Sequence, residues 1–147
     1  MNDVVRAPSR SDYQYFLEIP TRWRDNDSYG HMNNAVYYTL LEMVIMRYLE
    51  VESKIDLGAL GVRCFTVENG CTYHDALKYP DIIDAGLRVG RIGNSSVRYE
   101  VGLFVKGQSE LKASGIVIDV FVDAKTERPT QLPDVVREKL TAIASRV

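Results

Sequence analysis

The apolar stretch over residues 36–49 most constrains how this chain can fold, because it is long enough for a helix and contains neither Gly nor Pro. Apolar side chains recur in it at roughly helical spacing: Val36, Leu40, Met43, Val44, Tyr48 and Leu49. Leu41, Ile45 and Met46 fall outside that stripe, so the helix is apolar around most of its circumference. A helix of this kind is buried on more than one side. We therefore expect a sheet to wrap around it.

The residues just before this helix are of types that could form a catalytic site. Asn33 and Asn34 are good N-caps, so we expect the helix to begin near Ala35. The start of a buried helix offers unpaired backbone N–H groups and a positive dipole end, which would stabilise a developing oxyanion. The loop before it contains four residues of interest, Asp25, Asp27, Gly30 and His31.

Runs rich in aromatic and β-branched residues predict five strands. The first covers 13–24 and is interrupted or edged at Pro20. The others cover 64–74, 82–92, 95–106 and 110–123, and the short turns between them indicate antiparallel pairing. One strand, one helix and four further strands form an α+β order, which predicts a curved antiparallel sheet wrapped around a long central helix.

The last segment, 133–147, predicts a helix on the outside of the sheet. Val135, Val136, Leu140 and Ile143 share a plausible apolar face there. Residues 1–12 are polar and predict a loose lead-in.

Length and composition indicate a single domain over 1–147 and exclude several functions. A chain of 147 residues with 46% hydrophobic and 26% charged residues is typical of one soluble globular domain. Its net charge of -2 gives no reason to expect nucleic acid. No apolar stretch approaches a membrane span and the N-terminus has no signal-peptide core, so we expect a cytoplasmic protein. Cys64 and Cys71 lack metal-ligand spacing, which predicts reduced thiols and no metal site. We expect no cofactor.

The segment DNDSYGHMNNAVYY resembles the signature of the 4-hydroxybenzoyl-CoA thioesterase-like branch of hotdog-fold acyl-CoA thioesterases. The pattern of that family, D-x-x-G-H-x-N-N-x-x-Y, is matched in full by Asp27, Gly30, His31, Asn33, Asn34 and Tyr37. The resemblance continues through VENGCTYHDALKYPD, RIGNSSVRYEV and VIDVFVDAKTERPTQLP. It implies a hotdog fold, hydrolysis of an acyl-CoA to free acid and CoA, and a homodimer or homotetramer whose sheets join edge to edge.

The resemblance also assigns the catalytic roles. Asp27 would act as general base or nucleophile, since an aspartate with an ordinary pKa is ionised at neutral pH; the alternative is that it only caps a turn. The oxyanion donor would be a backbone N–H at or next to Asn34. Gly30 would let the chain turn sharply, and His31 would orient the loop or contact the thioester, or be purely structural. Asn33 would either hold the Asp27 carboxylate or cap the helix.

Further residues are candidates for substrate binding. Tyr37 would line the acyl site, although such a residue is more often core, and Tyr73 is a candidate contributed by the partner subunit. Arg91 and Arg128 are candidates for the CoA phosphates. Asp25 is expected to have a structural role. The sequence signal for a Ser/His/Asp triad through His74 is weak, because no Gly-x-Ser-x-Gly elbow is present.

The sequence leaves three other functions open. The first is hydrolysis of an acyl-ACP in place of an acyl-CoA. The second is a non-catalytic hotdog module that binds acyl-CoA. The third is a dehydratase of the same fold, whose His-centred site the sequence matches poorly.

Overall fold

A computed structural model describes residues 7–145. Five antiparallel strands form one sheet, in the order β1-β3-β4-β5-β2. The strands are β1 (Tyr15–Pro20), β2 (Val62–Tyr73), β3 (Ile82–Ile92), β4 (Ser96–Val105) and β5 (Leu111–Asp123). The sheet curves around a central helix, which confirms the predicted α+β hotdog arrangement. The predicted bounds of β2 to β5 agree with these to within two residues.

The first strand is shorter than predicted. It ends at Pro20, which has no N–H to donate to a neighbouring strand, and a short 3₁₀ turn at Trp23–Asp25 follows. Such a residue is tolerated because β1 lies at the edge of the sheet. Part of the predicted lead-in, residues 1–6, lies outside the described residues. Arg10–Asp12 form a 3₁₀ turn, and the Arg10 guanidinium pairs with Asp84 on β3 at 2.8 Å.

The central helix, α1 (Asn34–Met46), has 13 residues and begins one residue earlier than predicted. Its N-cap is Asn33, whose side-chain oxygen accepts a hydrogen bond from the Ala35 N–H at 2.9 Å. The chain then continues as a π-helical segment over Arg47–Glu52, past the predicted end at residue 49.

The core lies between α1 and the concave face of the sheet. Leu41, Val44 and Ile45 are completely buried there. The helix approaches β5 closely: a Cβ added to Gly115 would lie 2.5 Å from a methyl carbon of Leu41. The opposite side of α1 is open, and Met43, assigned to the apolar stripe by sequence, is 39% exposed.

The terminal helix, α2 (Asp134–Ala142), packs against β3 through Val136 and Leu140. Val135, predicted on the same face, is 40% exposed, because neighbouring helix positions point about 100° apart. The helix ends at Ala142, short of the predicted end at residue 147, and residues 146–147 lie outside the described residues. Within the described part of the chain, no helix has the length and apolarity needed to cross a membrane.

Candidate active site

The loop before α1 is a tight turn that starts at Asp27. The Gly30 N–H donates to the Asp27 carbonyl at 3.1 Å, and the Asp27 N–H donates to the His31 carbonyl at 2.8 Å. Gly30 has a φ of 78°, in the region that favours glycine. The sharp turn expected of Gly30 is therefore present, and it brings Asp27 back beside the start of the helix.

The Asp27 side chain caps this turn and still has a free oxygen. Its Oδ1 accepts a hydrogen bond from the Tyr29 N–H at 2.9 Å. No residue in the described part of the chain hydrogen bonds to Oδ2. The capping role weighed from sequence is thus real, yet it engages only one of the two carboxylate oxygens, and Asp27 lines an open groove.

Asn34 supplies an unpaired donor to the same groove. It is the first residue of α1, and its backbone N–H has no acceptor among residues 7–145. The N–H groups of Ala35 and Val36 are bonded to Asn33. Asn33 therefore acts as the N-cap, and no hydrogen bond joins its side chain to Asp27 in the described structure.

The groove has a volume of about 320 Å³ and brings together five of the predicted site residues, Asp27, His31, Asn34, Tyr37 and Tyr73. Gly30 and Asn33 adjoin it along the chain. A carboxylate and a free helix N–H facing one cavity can activate water and stabilise an oxyanion.

Two tyrosines form one wall of the groove. Tyr37 is 3% exposed, and its ring meets that of Tyr73 edge to face with 4.8 Å between centroids. The Tyr73 hydroxyl donates to the Asn34 carbonyl at 3.1 Å. Tyr73 contacts Tyr37 and Asn34 of its own chain, because β2 ends beside the start of α1. Its contribution to the site of a partner subunit stays a prediction.

The two histidines differ in their contacts. His31 is exposed at the groove, and no residue in the described part of the chain hydrogen bonds to its ring. His74 Nε2 lies 3.1 Å from Ser114 Oγ. No sequence pattern predicts Ser114 here, because it comes near His74 only through the pairing of β2 with β5. The Asp75 carboxylate pairs with Lys112 at 2.8 Å and not with His74, so no triad is assembled.

Asp25 holds the loop in place. It is 3% exposed and accepts hydrogen bonds from the Arg22 backbone N–H and guanidinium, at 2.7 to 2.9 Å. Burial alone would raise the pKa of Asp25, but the hydrogen bonds and charge of Arg22 lower it below its usual value. The Asp25 carbonyl also accepts from the Asn33 N–H at 2.8 Å. These contacts support the structural role expected for Asp25.

The predicted phosphate ligands do not lie at this groove in a single chain. The Arg128 carbonyl accepts a hydrogen bond from the Asp123 N–H near the Val62 end of β2, about 35 Å along the strand from Tyr73. Arg91 lies at the corresponding far end of β3. Sequence spacing could not reveal this, because it does not show which strand ends meet.

Two lysines lie next to the site. They line a second cavity of about 300 Å³ that includes His31 and Asp75. Lys112 is paired with Asp75 and Glu110. The Lys78 ammonium has no carboxylate partner in the described part of the chain.

Comparisons with known proteins agree on one family. The model of the thioesterase-like superfamily matches residues 21–140. The PA5185 protein of Pseudomonas aeruginosa is 40% identical, over 95% of this chain and 98% of that one, with a TM-score of 0.90. A putative thioesterase of the same organism, PA2801, is 31% identical, over 84% and 95%, with a TM-score of 0.77.

A thioesterase from Thermus thermophilus, solved with coenzyme A and Zn, is 27% identical, over 90% of this chain and 95% of that one, with a TM-score of 0.74. No curated protein matches. Within residues 7–145, no three His, Cys, Asp or Glu side chains are grouped so as to hold a metal ion.

Proposed function

The chain belongs to the thioesterase-like superfamily of thioester hydrolases, and from that premise we propose that it hydrolyses an acyl-CoA to a free carboxylic acid and CoA. One observation carries the proposal: a carboxylate oxygen of Asp27 and the backbone N–H of Asn34 face one groove, and both lack a partner among the described residues.

In the proposed reaction, Asp27 takes a proton from a water molecule as that water attacks the thioester carbonyl carbon. The carbonyl oxygen gains negative charge, which the Asn34 N–H and the positive end of α1 stabilise. The tetrahedral intermediate then collapses, the carbon–sulfur bond breaks, and the CoA thiolate leaves and is protonated. In the alternative path, Asp27 attacks the carbon itself, the carbon–sulfur bond breaks as the CoA thiolate leaves, and water hydrolyses the resulting anhydride.

The acyl group would follow the open side of α1. Asn34, Tyr38, Glu42 and Met46 are spaced four residues apart and so lie on one stripe of the helix. Beyond Asn34 this stripe borders a groove of about 480 Å³, whose lining is largely apolar. Met43, with 39% of its surface exposed, is part of that lining.

CoA carries phosphates, which bind cations. Lys78 is the favoured ligand, because it lies beside the groove and no carboxylate neutralises it in the described part of the chain. Arg91 and Arg128 remain candidates only if a second subunit brings them to this groove.

A homodimer is part of the proposal. β2 has twelve residues and pairs only with β5 among residues 7–145, so its other edge is open there. Phe65 and Val67 on this strand are 43% and 62% exposed. Open strand edges are usually covered, and pairing of β2 with its copy would cover both edges beside both grooves. We place the protein in the cytoplasm.

The test is a thiol-release assay with a panel of short, long and aromatic acyl-CoAs, alongside the same acyl groups on an acyl carrier protein. Release from at least one CoA ester, at higher kcat/KM than from the carrier ester, supports the proposal. A preference for the carrier ester would assign the acyl-ACP function. Binding without any release would assign the non-catalytic module.

A further inference from the structure

The groove beside α1 continues into a second cavity of about 220 Å³. Met43 and Met46 line both of them. The walls of this end cavity are completed by Leu17 on β1 and by three residues that follow α1, namely Arg47, Glu50 and Val51. The groove and the end cavity therefore form one path along the open side of α1. The proposed hydrolysis assigns no role to the end cavity.

Two flexible side chains lie where the groove meets the end cavity. Met43 and Met46 are three residues apart on α1, so their side chains are neighbours on the helix surface. Met43 is partly exposed, and Met46 is half-buried against the core. Methionine is unbranched and has three rotatable side-chain bonds, so it can change rotamer to fit what lies beside it. The passage between the two spaces thus depends on two side chains and not on the backbone.

The end cavity suits the end of a hydrocarbon chain. Leu17 lies opposite Ala85 in the sheet, and Ala85 is completely buried, so Leu17 is on the helix side. Val51 is 58% exposed, which leaves apolar surface for a ligand to cover. Arg47 and Glu50 are exposed and charged, and charged groups lose hydration when hydrocarbon is laid against them. A chain that enters between Leu17 and Val51 would therefore stop short of the charged residues.

The length of α1 converts this path into a number of carbon atoms. Met46 lies twelve positions after Asn34, a rise of about 18 Å along the helix. Carbon–carbon bonds of about 1.5 Å zigzag in an extended acyl chain, so roughly fourteen carbons cover this distance. An acyl group of that length, with its thioester at Asn34, would fill the groove. A longer one would reach the end cavity.

We propose that the substrates are long-chain acyl-CoAs and that Met43 and Met46 set the accepted chain length. Chains of up to about fourteen carbons end in the groove, whereas the last carbons of a hexadecanoyl chain pass the two methionines and enter the end cavity. Removing these carbons from water adds binding free energy that shorter chains lack. This assignment rests on the proposed function, because that function places the thioester at Asn34.

The test compares kcat/KM for octanoyl-, dodecanoyl- and hexadecanoyl-CoA, each used below the concentration at which it forms micelles. Wild type should give the highest value with hexadecanoyl-CoA. Met46→Trp, which narrows the passage, should lower kcat/KM for hexadecanoyl-CoA about tenfold, the effect of about two methylenes left in water. It should affect octanoyl-CoA far less, because the octanoyl chain ends before Met46. Val135→Trp, which adds bulk at an exposed position of α2, should keep the wild-type profile.

A wild-type kcat/KM that does not rise from octanoyl- to hexadecanoyl-CoA would overturn the inference. An undiminished preference for hexadecanoyl-CoA in both Met46→Trp and Met43→Trp would overturn it as well. Either result leaves the proposed function intact, since a CoA ester is still hydrolysed. Wild type that hydrolyses no CoA ester contradicts the proposed function instead. Calorimetry with octyl and hexadecyl thioethers of CoA then tests the length site alone: a lower Kd for the hexadecyl compound supports it, and equal Kd values overturn it.

Discussion

The Tyr73 hydroxyl donates a hydrogen bond to the Asn34 carbonyl oxygen, 3.1 Å away. This bond joins the last residue of β2 to the first residue of α1, whose N–H is the proposed oxyanion donor. The contact fixes the helix start against the sheet, so the donor is positioned before substrate arrives. Such preorganisation is the main source of oxyanion stabilisation in enzymes.

Tyr73→Phe removes this hydrogen bond and keeps the ring contact with Tyr37. We expect kcat to fall about two- to tenfold, the effect of one ordinary hydrogen bond, with little change in KM. Tyr79→Phe is the matched control, because Tyr79 is 39% exposed and its ring packs on Trp23, outside the groove. Equal kcat values for the two variants would show that the bond does not position Asn34.

Gly30→Ala tests the turn that presents Asp27. A Cβ at Gly30 meets no atom within 4 Å, so only the positive φ of 78° opposes the substitution. We expect a loss of about 1–2 kcal/mol in the free energy of unfolding, measured by urea denaturation. Gly30→Asn should lose less, since Asn tolerates this conformation. Equal losses in the two variants would mean that something other than φ is responsible.

The pair of Asp25 with Arg22 predicts a loss of stability in acid. Because the folded pKa of Asp25 lies below its ordinary value of 3.8, its contribution is present above that pH and is lost as the pH falls through the folded pKa. Asp25→Asn should therefore unfold at lower temperature than wild type at pH 7, and the difference should shrink in acid. A difference independent of pH would exclude the ionised carboxylate as its cause.

Asp119 predicts the opposite pH dependence. Burial raises its pKa, so the free energy of unfolding falls as the pH rises above the ordinary pKa of an aspartate. Asp119→Asn, which can still accept from Thr66, should melt at a higher temperature than wild type at pH 8. Each kcal/mol gained appears as about 2–4 °C in a protein of this size. A lower melting temperature at pH 8 would contradict the burial penalty.

The sequence predicted most of the fold, because its signals are local. Alternation and turn residues located the strands, and the stretch without Gly or Pro located α1. The strand count, the antiparallel pairing and the position of Asn33 before the helix follow from such patterns. The errors occurred where packing decides whether a side chain is buried. Periodicity assigned Met43 and Val135 to buried faces, but both are partly exposed.

The candidate site could be predicted only where its residues are close in sequence. Asp27 to Tyr37 form one motif, so their grouping in the groove was expected. The positions of Ser114 and Lys78 beside the site, and the hydrogen bond from Thr66 to Asp119, depend on which strands pair and on which ends meet, and no local pattern carries that information. For the same reason, Arg91 and Arg128 were assigned to a site that they do not reach within one chain.

The most direct test of the account compares Asp27→Asn and Ser114→Ala with wild type in the thiol-release assay, on the best acyl-CoA of the panel. Asn keeps the size of the side chain and its bond from the Tyr29 N–H, but it cannot act as a base. We expect kcat for Asp27→Asn to fall by about two to four orders of magnitude, with an unchanged circular dichroism spectrum. Ser114→Ala should retain wild-type activity, because the His74 and Ser114 pair has no orienting carboxylate. Full activity in folded Asp27→Asn, or its loss in Ser114→Ala, would contradict the assignment of Asp27 as the catalytic carboxylate.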